Sequence, residues 1–425
     1  MLSALQAADC CGHSGRSLPR LRPLVSPVRR VPLLEVRPAV HGVSAAHGAW
    51  RRLSLDPGGA VAMSHVLVAG AGAIGSHLVP HLARMPWVSE LTVVDQDVYE
   101  DSNWRTQGIA KRDVGQPKAA VQARRLEEIN PSIPVNPIHG SLEDLALGWL
   151  RSDVILACLD SRRARLFVNQ AAWRLGIPWI DAGIDATGFL ARVQVFVPAP
   201  DAPCIECAWD LRDYELVEQT YPCQGQNGMV TATDAPSGLG ALAASLQALE
   251  CQKLLSGDGE GLLAGRDVLL DARHHRHYVT TYRRNPACRM PDHATWRIAA
   301  LNVGPSNISL GELVALGRTL QGADAGLRIG IAGQHIAGAL TCPACRHRRE
   351  AWILERAVRR SPPHCPRCDS LMATNGFDLY DSVPADDFPQ RELGRPLAEH
   401  GLLAHDVLTL ATPAVENHFE LGGTK

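Results

Sequence analysis

The chain has 425 residues, a formal net charge of −2, 46% hydrophobic residues and 20% charged residues. That composition supplies a sizeable core and excludes a globally disordered chain, while the length predicts two or three domains. The small net charge and the 5% aromatic content argue against a dedicated DNA binder, which needs a basic face or stacking platforms, and no apolar run is long enough for a membrane span.

Twelve cysteines are present. Eight of them fall into three C-x-x-C pairs, Cys204/Cys207, Cys342/Cys345 and Cys365/Cys368, and one adjacent pair, Cys10/Cys11. In a chain of this length such pairs indicate metal binding in a reducing compartment rather than a secreted disulfide framework. The expected location is therefore cytoplasmic.

Residues 1–60 hold eight arginines, no lysine, six prolines and three acids. An Arg-rich, acid-poor start fits an organelle transit peptide, but the prolines would break an amphipathic targeting helix. Residues 1–62 are therefore read as a disordered or spurious extension before Met63. Regular patterning begins at His65–Ala69, a short apolar strand. A glycine turn leads to a helix around Ile74–Met85, with Pro80 inside it. Leu91–Asp95 reads as a second strand, Lys118–Ile129 as a helix stopped by Asn130-Pro131, and Val154–Leu159 as a third, buried strand. A fourth follows near Ile180. Short apolar strands alternating with helices predict a parallel α/β sheet. Leu190–Val197 alternates, which predicts a half-exposed antiparallel strand. Ser237–Leu255 reads as a long helix with an apolar stripe at Leu239, Leu242, Leu246 and Leu249. The texture changes after residue 295. The resulting division is an extension (1–62), a nucleotide-binding domain (63–295) and a C-terminal domain (296–425), in which Asp406–Leu410 looks like the final strand.

Gly70-Ala71-Gly72-Ala73-Ile74-Gly75 lies between the first strand and the first helix. Glycines there allow a tight turn and close backbone approach, and the helix N-terminus attracts phosphate. Asp95, twenty residues beyond Gly75 at a strand end, is placed to hold ribose hydroxyls. This pattern alone does not choose between NAD and ATP. The following segment carries Asp97, Asn103, Arg105 and Lys118 close behind the ribose acid. A dehydrogenase has no need of these cations. Cleavage of a triphosphate does, because they neutralise the charge that develops in phosphoryl or nucleotidyl transfer.

Taken in order, several motifs resemble the ubiquitin-activating enzyme superfamily, in particular its ThiF/MoeB-type adenylyltransferases. They are the glycine loop, Asp95-Gln96-Asp97, Ser102-Asn103-Trp104-Arg105, Gly115-Gln116-Pro117-Lys118, Leu159-Asp160-Ser161 with Arg165 and Asn169, Cys204-Ile205-Glu206-Cys207 and Ser245-Leu246-Gln247-Ala248. The similarity runs from about residue 64 to 290. It implies a doubly wound Rossmann-like α/β fold that adenylates the C-terminal glycine of a ubiquitin-like or sulfur-carrier protein, releasing pyrophosphate. By the same resemblance Gly70, Gly72, Gly75 and Asp95 hold ATP, and Asn103, Arg105 and Lys118 reach its phosphates. Asp160 holds Mg²⁺, with Asp97 a second candidate for that region. The usual S-N-L-x-R-Q is one residue shorter here, which bears on the role of Arg105. Some relatives place an acyl-accepting cysteine before the long helix, which makes Cys223 a candidate nucleophile. Family members usually dimerise, so a homodimer is expected.

Two Zn²⁺ sites are expected. The resemblance implies a structural site at Cys204 and Cys207. The second C-x-x-C of that site is reduced here to Cys288, with His293 as the fourth ligand at ordinary spacing. Independently, Cys342, Cys345, Cys365 and Cys368 have zinc-ribbon spacing, a closed four-thiolate site. Two other readings remain: a nicotinamide- or flavin-dependent oxidoreductase resting on the glycine loop and Asp95, and a non-catalytic partner-binding relative of the adenylation fold.

Overall fold

The structure, a computed structural model, describes residues 36–38, 63–218, 235–257, 261–290, 293–322 and 326–423. In chain order the first elements are β1 (Val36–Pro38), β2 (Ser64–Ala69), α1 (Gly75–Leu82), β3 (Val88–Asp95), α2 (Lys118–Ile129), β4 (Val135–His139), β5 (Val154–Ala157) and α3 (Arg162–Leu175). They are followed by β6 (Trp179–Asp185), β7 (Leu190–Phe196), α4 (Leu211–Glu218), α5 (Ser237–Leu255), β8 (Arg266–Asp271) and β9 (Arg276–Thr281). Eight strands form one sheet in the order β4-β3-β2-β5-β6-β7-β8-β9. The half from β4 to β6 is parallel, and β6 to β9 pair antiparallel.

Strand β5 and β2 from Val66 to Ala69 are apolar because helices cover both faces of the sheet. Successive side chains point to opposite faces. Val66, Val68, Leu156, Ile180, Val193 and Val195 pack with α1, α2 and α5, whereas Leu67, Ala69, Ile155, Ala157, Trp179 and Phe196 pack with α3. Strand β7 is therefore more deeply buried than its alternation predicts, since β8 continues the sheet past it. The leucine stripe expected on α5 is corrected in one member: Leu239 is buried and Leu242 and Leu246 pack against the core, but Leu249 is 55% exposed, and Gly240, Ala243, Ala244, Gln247, Ala248 and Cys251 share the buried face. Small residues win that face because α5 presses against the start of α1: a Cβ on Gly240 would sit 2.2 Å from the Ala73 carbonyl oxygen.

The remaining chain forms β10 (Ile298–Leu301), α6 (Leu310–Gln321), β11 (Arg328–Ile331), β12 (Ile336–Thr341), β13 (Arg348–Leu354), α7 (Glu355–Arg360), β14 (Ala373–Thr374) and β15 (Leu379–Tyr380). It closes with β16 (Ser382–Pro384), α8 (Gln390–Leu393), β17 (Val407–Ala411) and β18 (Glu416–Leu421). One sheet runs β1-β10-β18-β17-β11-β16, and a smaller one has β12 flanked by β13 and β14, with β15 also on β12. Two expectations change here. Val36–Pro38, inside the stretch read as a disordered or spurious extension, pairs antiparallel with β10. And β17 is not the last strand: β18 returns beside it and pairs parallel with β10. Helix α6 starts on a capping box, in which Ser309 Oγ accepts from the Glu312 N–H at 3.2 Å and Glu312 Oε2 accepts from the Ser309 N–H at 2.8 Å.

The second part is tied to the first by aromatic and ionic contacts. Trp296 stacks on His418 with ring centroids 3.7 Å apart, and the Arg174 guanidinium lies over Trp296. Arg151, just before β5, bonds Glu420 at 2.7 Å. Within the second part, Arg356 of α7 and Asp406 before β17 form a forked ion pair with both side chains 1% exposed. Asp406 Oδ2 also accepts the Leu403 N–H at 2.7 Å. Burial pushes the Asp406 carboxyl up, and the guanidinium pulls it back toward the charged form. Removing one member leaves the other charge buried and unpaired, which costs about 3–5 kcal/mol. Arg356→Ala is therefore expected to lower unfolding free energy by that amount in urea titrations, and Arg356→Met together with Asp406→Leu by much less. A single-mutant loss below about 1 kcal/mol would show that water reaches the pair.

Candidate active site

The carboxyl ends of β2, β3 and β5 build the site. The chain leaves β2 through Gly70, whose φ of +96° favours glycine. A Cβ there would lie 2.5 Å from the Cys158 carbonyl oxygen at the exit of β5, and one on Gly75 would lie 2.0 Å from the Gly70 carbonyl oxygen. These two glycines are thus demanded by backbone packing. Gly72 differs: the nearest atom to its Cβ position is Gln107 Oε1, at 4.0 Å. Its bareness leaves the loop surface open beside the start of α1, where unpaired N–H groups favour an anion.

Asp95 clasps this loop to the end of β3. Its Oδ2 accepts the Ala71 N–H at 2.6 Å, and its Oδ1 accepts the Asp97 N–H at 2.8 Å. Burial pushes the carboxyl up, while Lys118 and the two amides pull it down. A carboxylate has about four lone-pair positions, so two remain for further donors. The segment after Asp95 folds back on itself. The Lys118 N–H donates to the Asp97 carbonyl at 2.9 Å, and the Tyr99 N–H to that of Gln116 at 3.0 Å. Lys118 Nζ then meets Asp97 Oδ2 at 2.9 Å, the lysine side chain 11% exposed and the aspartate 55%. Its stem is buried and its charge stands at the rim of the loop.

The other expected residues take different positions. Asn103 Oδ1 accepts the Glu100 N–H at 2.9 Å, closing its own turn. Arg105 is exposed, with its guanidinium 5.2 Å from the Trp104 ring centre, and Lys111 covers the same ring at 4.6 Å. Arg105 thus rests in a local stacking contact and stays open to solvent. Asp160 is also exposed, on the turn after β5. It does not end a buried strand in need of a partner, because β5 stops at Ala157. Cys223 lies outside the described residues. His274, His275 and His277 are exposed.

Sequence reasoning missed the groups that set the loop's shape. Tyr99, 1% exposed, donates its hydroxyl to the Ala71 carbonyl at 2.7 Å and accepts from Gln122 Nε2 at 2.7 Å. Ser76 Oγ accepts the Gly108 N–H at 2.9 Å. Gln247 of α5 donates to the carbonyls of Ala157 and Ile180 at 3.1 and 2.8 Å, joining the carboxyl end of β5 to the start of β6. The glutamines left a signal, since Gln122 and Gln247 occupy helical positions in register with apolar neighbours, where a polar residue needs a buried partner. Tyr99 left none.

The two cysteine clusters have the geometry of ion cages. Cys204 Sγ is 3.9 Å from Cys207 Sγ and 3.6 Å from Cys288 Sγ, and Cys207 Sγ is 3.7 Å from His293 Nε2. Tetrahedral zinc with bonds of about 2.3 Å to sulfur spaces two sulfurs by about 3.8 Å. His293 Nδ1 faces the Ala202 carbonyl at 3.2 Å, which leaves Nε2 free to ligate. In the second cluster Cys342 and Cys368 are 3.4 Å apart and Cys345 and Cys365 3.6 Å. Each of its knuckles ends on a residue with positive φ, Arg346 and Asp369, whose N–H bonds back to the first cysteine's carbonyl.

With this geometry in hand, comparison with known proteins gives the class. Residues 49–290, more than half of the chain, match the ThiF family, and the protein belongs to that family. It is 31% identical over 239 residues to the SAMP-activating enzyme E1 of Haloferax volcanii, covering 54% of this chain and 81% of that one. It is 32% identical over 197 residues to the sulfur carrier protein ThiS adenylyltransferase of Escherichia coli, covering 46% and 73%. The sulfur carrier protein adenylyltransferase of Thermus thermophilus is 33% identical over 234 residues, covering 52% and 80%.

Tyr99→Phe removes one hydroxyl and strands both the Ala71 carbonyl and the Gln122 amide in a buried place. Unfolding free energy is expected to fall by about 1–3 kcal/mol, read by urea denaturation. An unchanged midpoint would mean that the loop does not depend on this hydroxyl.

Proposed function

We propose that this protein is an ATP-dependent adenylyltransferase acting on the C-terminal glycine of a ubiquitin-like or sulfur-carrier protein. The observation that carries the reading is a glycine loop clasped by Asp95 beside Lys118, in a chain of the ThiF family. The relatives named above are adenylyltransferases or activating enzymes. In this reaction a carboxylate oxygen attacks the α-phosphorus of ATP. The new bond joins that oxygen to phosphorus, the bond to the β-phosphate oxygen breaks, and pyrophosphate departs.

The roles follow from position. Asp95 keeps two lone pairs for ribose hydroxyls. The open surface at Gly72 and the start of α1 receives phosphate. Lys118 neutralises phosphate by exchanging Asp97 for it, and Asn103 and Arg105 assist from the same side. Asp160, an exposed carboxylate at the strand ends, suits Mg²⁺, an ion that prefers oxygen ligands and usually keeps several waters. When bound, Mg²⁺ supplies charge neutralisation on the phosphates. The two cysteine clusters fit Zn²⁺ in closed structural sites, the second forming the zinc ribbon of a C-terminal domain over 296–425. All nine described cysteines are free, which suits a reducing cytoplasm. No described helix is long and apolar enough to cross a membrane. Leu249, Tyr278 and Val279, exposed on α5 and β9, offer an apolar surface for a homodimer.

Calorimetric titration of the full chain with Mg-ATP and with NAD tests the reading. Mg-ATP is expected to bind and NAD not. Asp160→Ala is expected to weaken Mg-ATP at least tenfold. Binding of NAD in place of Mg-ATP would return the glycine loop to an oxidoreductase.

Metal analysis of the purified chain tests the cages separately. Two zinc ions per chain are expected, falling to one in Cys207→Ser and to one in Cys365→Ser. A metal-free protein that stays folded would remove both cages.

A further inference from the structure

We infer that Arg192, held over Gly183 beside Arg165, is the binding site for the carboxylate that attacks ATP. This rests on the adenylation reading above. The sheet itself is the ruler. Ala69 pairs with Ala157, and Ala157 with Asp181, so the three lie level at the carboxyl edge. With strands about 4.8 Å apart, Asp181 stands roughly 10 Å from the residue that precedes the glycine loop. Asp181 faces α3, where it is completely buried. Arg165 Nε binds its Oδ1 at 2.9 Å, and Arg192 Nη2 binds its Oδ2 at 3.2 Å.

The two arginines differ. Arg165 is 14% exposed and donates also to the Leu159 carbonyl at 2.6 Å, just before Asp160, so it serves the frame. Arg192 is 36% exposed, and among the described residues the bond to Asp181 is its one hydrogen bond. A guanidinium has five N–H donors in a fork that matches a carboxylate. Both guanidinia lie over Gly183, where a Cβ would come within 3.2 Å of Arg165 and 3.7 Å of Arg192. One buried aspartate is shared between the two guanidinia. Asp267 also acts on Arg192: burial pushes its carboxyl up and the guanidinium pulls it down, but its Oδ2 accepts from the Tyr282 hydroxyl at 3.2 Å, so Arg192 keeps N–H donors for a further carboxylate.

The side of the loop on which this charge stands decides its partner. Across the sheet the order is Asp95 on β3, the glycine loop after β2, Asp160 after β5, then Asp181 and Arg192 on β6 and β7. Lys118, assigned to the phosphates, stands on the β3 side, where it meets Asp97 just beyond that strand. An in-line displacement puts the attacking and leaving oxygens on opposite sides of phosphorus. The leaving pyrophosphate faces the β3 side, and Arg192 meets the entering carboxylate.

The test uses the full chain, its Arg192→Gln and Arg192→Lys variants, and a synthetic octapeptide ending in glycine, as the free acid and as the C-terminal amide. In the presence of Mg-ATP the wild type is expected to bind the acid at least tenfold more tightly than the amide. Arg192→Gln should lose that preference and Arg192→Lys keep part of it, with Mg-ATP affinity unchanged within twofold and thermal unfolding confirming a folded chain. No preference in the wild type, or a preference kept by Arg192→Gln, overturns the inference. A tenfold loss of inorganic pyrophosphate binding in Arg192→Gln would assign the arginine to the leaving group instead, and equally overturn it. A wild type that binds no Mg-ATP would sink the adenylation reading itself, a different result from lost acid-over-amide preference in a chain that binds nucleotide.

Discussion

At the exits of β2 and β5 two backbones pass so closely that no side chain fits between them. The Gly70 position admits no Cβ beside the Cys158 carbonyl, and the Gly75 position admits none beside Gly70 itself. This contact brings the glycine loop down onto the sheet, sets where α1 begins, and aims the turn carrying Asp160 along the same edge. Gly240 repeats the constraint from the other side by letting α5 touch the loop's far end at Ala73. Interiors are packed near crystal density, so a loop fixed at three such points has little freedom to rearrange.

Polar groups then hold the loop. Asp95 takes its amide, and Tyr99 gives its hydroxyl to the next carbonyl, at the same residue, Ala71. An aspartate that binds a loop N–H at 2.6 Å and is pushed up by burial costs stability to keep charged. Its retention at a strand end is intelligible if a ligand's hydroxyls complete its hydrogen bonding. The same logic extends to Asp181, wholly buried yet paired with two guanidinia, one of which stays in reach of solvent. The edge of the sheet thus carries carboxylates and cations in a fixed order, and that order gives the site its polarity.

Much of this was legible in the chain. Helix α2 (Lys118–Ile129) and helix α5 (Ser237–Leu255) have the bounds their periodicity and stop signals predict. Strands β2, β3, β5 and β6 appear where their apolar runs predict, because residues buried on two faces must be apolar on both, whereas the exposed edge strand β4 carries no such run. The family resemblance pairs Cys288 and His293 with Cys204 and Cys207, and the four converge. What failed had physical reasons. Apolar character put Leu249 on the buried stripe of α5, yet it is exposed, and the close contact with α1 is made by small residues such as Gly240. Alternation suggested a half-exposed β7, yet alternation cannot show that another strand extends the sheet. Val36–Pro38 gave no local sign that it pairs with β10, since a three-residue strand is defined by its partner.

By itself the sequence determined most of the elements, the glycine loop and the spacing of the cysteine pairs. These depend on local periodicity, turn chemistry and ligand spacing, which are properties of neighbouring residues. The tertiary structure decided which charges meet. Lys118 faces Asp97 because the segment between them doubles back, and Arg105 rests on Trp104. Arg165 and Arg192, twenty-seven residues apart in the chain, share one buried carboxylate only because β6 and β7 pair in one register. Electrostatic partners are chosen by distance in space, and that distance is set by strand order and packing, which no single stretch of sequence encodes.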